Sequence, residues 1–216
     1  MDFQDFLQYV PNLIPVELPA TFAHIKMAPK GRIEELKSLD ITSKNPRIAA
    51  VMMLFYPKNE ETHLVLIVRN AYNGVHSSQI AFPGGKYETT DVNFEATALR
   101  ETHEEVGVLP EQIEVIKEFS PMYIPPSNFL VHPFLGIAKE ELLFSPDVRE
   151  VASIIELPLS VFLDDEIIIE ATLSTSYGAN VLVPAFNIQN HVVWGATAMI
   201  LSELRDVLKT TFNENL

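Results

Sequence analysis

Apolar residues at Phe3, Phe6, Leu7 and Val10 follow the spacing of one helical face, and Pro11 and Pro15 are expected to end that run. The pattern then changes. Arg47 to Tyr56 (RIAAVMMLFY) and His63 to Arg69 (HLVLIVR) are strand-like apolar runs on either side of the polar turn Pro57 to Thr62, a hairpin signature. Ile113 to Ser120 and Phe129 to Glu140 read as further strands, separated by the proline-bearing loop Tyr123 to Asn128. Val148 to Pro158 is another strand, Ile167 to Leu173 and Val181 to Ile188 form a late hairpin, and Ala196 to Leu208 has helical spacing. This order predicts an α/β fold, an α/β/α sandwich around a mixed β-sheet. Residues 1–45 are expected to be an N-terminal extension whose short amphipathic helix packs on a domain spanning 46–216.

Between the strands lies a segment of a different kind. Wound as a helix from Asp91 to Val106, it places Glu101, Glu104 and Glu105 within an arc of roughly 100°. Asp91 can cap its start, Gly107 suits its end, and Gly84-Gly85 is expected to form a turn before it. From Phe94 to Val106 the basic residues are Arg100 and, if protonated, His103. Arg100 stands four residues before Glu104, a spacing that suits a pair orienting one carboxylate. The other acids need a cation, and hard oxygen ligands select Mg²⁺ or Mn²⁺. A solvated acidic face is the bland alternative; the strand, glycine pair and capped helix in one unit favour the metal.

Composition narrows the function classes. With 216 residues and 47% hydrophobic content, the chain can bury one sizeable core. A formal net charge of −14 argues against nucleic-acid backbones and anionic membranes as partners. A polyanionic substrate would also be repelled unless metal and local cations reversed the field, and Lys26, Lys30 and Arg32 are candidates for contact with a phosphate. The absence of cysteine removes disulfides, thiolate catalysis and zinc-thiolate sites. Met1 to Asp5 lacks the basic start of a secretory signal, and no apolar run reaches the ~18 residues of a membrane span, so a cytoplasmic protein is expected.

Arg100, Glu101, Glu104, Glu105, Gly107 and Val108 follow the order Arg-Glu-x-x-Glu-Glu-x-Gly-aliphatic, and the stretch from Gly84 to Val108 resembles the signature of the Nudix hydrolase superfamily. Two features depart from it. Thr102 stands where the pattern has a bulky aliphatic residue, and Gly85 lies fifteen rather than fourteen positions before Arg100. Val92 occupies the place of the early glutamate, a role that Glu88 or Asp91 could fill across a longer loop. The resemblance implies a Nudix-type sandwich, with Glu101, Glu104 and Glu105 as metal ligands.

Upstream, Arg69, His76, Gln79 and the Phe82 to Gly85 run are similar to a motif of the coenzyme A pyrophosphatases within that superfamily, although Gly74 and Ser78 replace its arginine and glycine. The longer loop and Val193 to Ala198 are similar to the same branch. This implies metal-dependent cleavage of coenzyme A or a derivative to 3′,5′-ADP and 4′-phosphopantetheine. Arg69, His76, Gln79, Gly84 and Gly85 would contact substrate, Arg100 would orient a carboxylate, and Glu104 and Glu105 would serve the chemistry. Glu105 or the outlying Glu150 would take the proton from water. Trp194 is expected to be core packing; His63, His103, His132 and His191 are expected to be structural or surface residues. The alternatives are a Nudix hydrolase for ADP-ribose or a dinucleotide, and a non-catalytic Nudix ligand-binding domain. A homodimer is the oligomeric state expected from the family.

Overall fold

The computed structural model describes residues 1–38, 40–70, 79–175 and 178–213. Strands β1 (Arg47–Lys58) and β2 (Glu61–Arg69) form the expected hairpin, with Lys58 opposite Glu61. Asn59 and Glu60 both have positive φ, as a two-residue type I′ turn requires. β1 lies inside a mixed sheet. It pairs antiparallel with β2 and with β4 (Gly84–Lys86), and parallel with β7 (Phe129–Ile137). β3 (Ile80–Ala81) and β8 (Val151–Pro158) join β2, while β5 (Glu114–Glu118) and β6 (Met122–Ile124) join β7.

Burial on both faces explains why β1 reads as a continuous apolar run rather than an alternating one. Ala50, Met52 and Leu54 pack with Ala98 and Val106 of helix α4 (Phe94–Val106). Met53 and Phe55 belong to the other core, with Phe3, Phe6 and Leu13 of α1 (Phe3–Leu13) and Leu201, Leu204 and Leu208 of α6 (Gly195–Asn213). Helices therefore cover the sheet on both sides, giving the α/β/α sandwich. β9 (Ile168–Thr175), β10 (Gly178–Ile188) and β11 (His191–Val193) form a separate antiparallel sheet, in which Phe186 and Ile188 reach the α6-side core. Among the described residues, no helix is long and apolar enough to cross a membrane.

Two local expectations fail. Pro11 does not stop the first helix but sits inside α1, which runs on to Leu13. Leu13 is fully buried, and the Lys117 ammonium donates to the carbonyls of Leu13, Ile14 and Val16, which lie at and just past the helix end where carbonyls have no intrahelical partner. Gly84-Gly85 is not a turn either: it is the start of β4, with Val51 opposite Gly84 and Ala50 opposite Gly85.

Candidate active site

The cap of helix α4 is Asn93, not Asp91: the Asn93 side chain accepts from Ala96 N at 2.7 Å. Asp91 has another task. It accepts from Thr97 Oγ1 at 2.9 Å, from the Glu88 amide at 3.0 Å and from Arg100 through Nε and Nη2 at 2.9 and 3.0 Å. The Arg100 bonds hold its carboxyl well below the usual range. Of the two acids that could replace the early glutamate, Asp91 is the one that meets Arg100. At the other end of the helix, Gly107 takes φ 78° and its amide returns to the His103 carbonyl.

Arg100 is thus fixed on one side and presents Nη1 on the other, where it donates to both Glu101 and Glu104 at 2.9 Å. Glu105 turns to a different wall. Its carboxylate, 2% exposed, accepts from the Gly84 amide at 2.8 Å and from Arg69 Nη1 at 3.1 Å. Among the described residues, no three acidic or imidazole side chains are already gathered around one point as a metal cage. The donor set nevertheless fits a hard divalent cation. Burial pushes Glu105 up to about 7 and raises Glu101, and in both cases neighbouring carboxylates, Glu150 among them, add to the push. The result is a corner of oxygen donors whose negative charge exceeds what Arg69 and Arg100 supply.

The glycines make room for this corner. A Cβ on Gly85 would lie 2.5 Å from Glu101 Cδ, and one on Gly84 would lie 2.5 Å from Val51 Cα, at a φ of 150° that suits glycine alone. Behind α4, the chain from Ser145 to Glu150 is stitched to the helix end: Ser145 N donates to Val106 O, and Asp147 N to Glu105 O. The Glu150 carbonyl accepts from Asn70 N, which brings this segment alongside the end of β2. Glu150 itself is exposed, and the adjacent Arg149 pairs with Asp147 instead.

Sequence reasoning did not find the cavity beside β4, of about 480 Å³, reached by Arg69, Gln79, Gly84 and Gly85. Trp194 is half-buried and forms part of its wall, rather than being sealed in the core. Arg32, buried and donating to the Tyr123 carbonyl, lines it too, whereas Lys26 is paired with Asp206 at 2.6 Å. His63 is buried beside Tyr56, and His132 pairs with Glu118. The expected contact His76 lies outside the described residues.

Comparison with known proteins places this geometry in a family. The NUDIX domain profile matches residues 46–169. The uncharacterized Nudix hydrolase NudL of Enterobacter sp. (strain 638) is 36% identical over 168 residues, covering 74% of this chain and 82% of that protein. NudL of Photorhabdus laumondii is 35% identical over 170 residues, covering 75% and 85%. For the fold, the crystal structure of RenU, a Nudix hydrolase from M. smegmatis, superposes with a TM-score of 0.52 at 19% identity, covering 76% of this chain and 87% of that one. The chain belongs to the Nudix hydrolase family, enzymes that cleave pyrophosphate bonds.

Proposed function

We propose that this hydrolase cleaves the diphosphate of coenzyme A or its derivatives, releasing 3′,5′-ADP and 4′-phosphopantetheine. The observation that carries the reading is the cavity opening at Gly84 and Gly85: a diphosphate at the glycines would have, beside it, room for a long arm. The likeness of Arg69, Gln79 and Phe82 to Gly85 to the coenzyme A pyrophosphatase motif supports the same reading.

Glu101, Glu104 and Glu105 would hold Mg²⁺ or Mn²⁺, which when bound neutralises diphosphate oxygens and acidifies the attacking water. Arg100 stays anchored by Nε and Nη2 on Asp91, so releasing Glu101 and Glu104 from Nη1 does not set it adrift. The Gly84 amide and Arg69 fix the Glu105 carboxylate. Glu150, exposed and with Arg149 turned away, is the carboxylate we assign to the water proton; Glu105 is the alternative. A cytoplasmic homodimer is the state that goes with this reading.

A substrate panel tests it. Purified protein with Mg²⁺ or Mn²⁺ should release 3′,5′-ADP from coenzyme A faster than AMP from ADP-ribose or a dinucleotide. Intact coenzyme A alongside hydrolysed ADP-ribose would overturn the assignment.

A further inference from the structure

The cavity beside β4 draws part of its wall from outside the matched domain of 46–169: Arg32 comes from before it, and Trp194, Thr197 and Ile200 from after it. Ile124 of β6 and Phe129 of β7 add to an interior that is mainly apolar. We infer that this cavity is the subsite for the substrate arm beyond the diphosphate, that it takes an apolar, acyl-bearing chain rather than the nucleobase, and that Trp194 determines this specificity.

Hydrogen-bonding capacity decides between the two. A nucleobase carries donors and acceptors around its edge, and burying them unmatched is costly. Three polar side chains on these walls already bond within the protein: Thr197 Oγ1 donates to the Ile80 carbonyl at 2.9 Å, Arg32 donates to the Tyr123 carbonyl, and Arg69 Nη1 donates to Glu105 at 3.1 Å. One face of Phe129 is taken by the Arg47 guanidinium, 4.1 Å from the ring centroid. Ser127 Oγ is a buried hydroxyl with no hydrogen-bond partner among the described residues. A chain with an occasional amide and long apolar stretches matches such a lining; an adenine does not. The Thr197 bond also ties the first turn of α6 to β3, which holds the half-buried indole of Trp194 at the wall.

The identity of the arm rests on the coenzyme A reading, but the cavity can be tested apart from it, because Trp194 is the sole tryptophan of the chain. Metal-free protein is titrated with S-octanoyl-4′-phosphopantetheine and, separately, with 3′,5′-ADP, and its emission is followed. A saturable blue shift with the acylated arm and none with the nucleotide is the expected result. A shift with the nucleotide, or no shift with the arm, overturns the assignment. Because this readout needs no turnover, a positive titration together with coenzyme A left intact in the metal-loaded substrate panel would sink the proposed reaction and leave the subsite standing. In the kinetic counterpart, Trp194→Ala should raise KM for an acylated substrate about tenfold while leaving kcat within about twofold and KM for ADP-ribose unchanged. Equal effects on both substrates would refute the specificity role, and Trp194→Phe should restore most of the lost affinity.

Discussion

A methyl group at position 85 would occupy the space now held by the Glu101 carboxylate, whose Cδ lies 2.5 Å from the place of that methyl carbon. The backbone at Gly85 is not in the left-handed region, so Gly85→Ala should fold and instead displace a proposed metal ligand. Its kcat should fall at least about a hundredfold, as should that of Glu104→Gln, whose side chain is 56% exposed and carries little packing. Kinetics and thermal melts run side by side check this; wild-type turnover in both variants would remove the acidic helix from the chemistry. The box carboxylates were legible because helical spacing alone puts them on one side. Which acid caps the helix was not: Asp91 and Asn93 have the same local aptitude, and the choice depends on Arg100 reaching back nine residues to claim Asp91.

Elements long enough to show a period, β1, β2, β7 and α4 among them, could be read from the sequence to within a few residues. β3, β4, β6 and β11 could not, since two or three residues carry no periodicity and pair only because a neighbouring strand offers an edge. The engagement of α6 with the N-terminal segment was equally hidden. Glu203, fully buried on α6, accepts from the amides of Ala20 at 2.8 Å and Ser120 at 3.1 Å, with His24 Nε2 at 3.4 Å. Burial would raise its pKa, but the His24 contact and the amide bonds outweigh burial and hold it below its ordinary value of 4.5; Lys117 lies within electrostatic reach. A depressed folded-state pKa stabilises fully above the unfolded value and is lost as pH falls through the folded one. Glu203→Gln should therefore melt well below the wild type at pH 7, and the gap should close as pH drops below the ordinary value of 4.5. A gap independent of pH would show that the charge of Glu203 is not what binds the segment.

At the scale of the whole molecule, α1 behaves as part of the core. The Phe6 ring lies tilted 5.1 Å from Phe55, Tyr9 meets Phe212 edge-on at 4.9 Å, and Phe3, Phe6 and Leu13 are buried. At about 1.5–3 kcal/mol for each buried large side chain, removing residues 1–16 should cost as much as many domains have to spare. Such a truncation is expected to aggregate or lose its cooperative melt, and calorimetry showing an unchanged transition would contradict this. The parallel pairing of β1 with β7 has a further consequence, in time rather than in space. The hairpin of β1 and β2 closes through a two-residue turn, whereas Arg47 meets Phe129 only after about eighty intervening residues have been brought round. Loop closure makes the near pairing fast and the distant one slow. The strand pair at the heart of the sheet should therefore form after the hairpin, and the cavity, with walls from both halves of the chain, should take shape after it too.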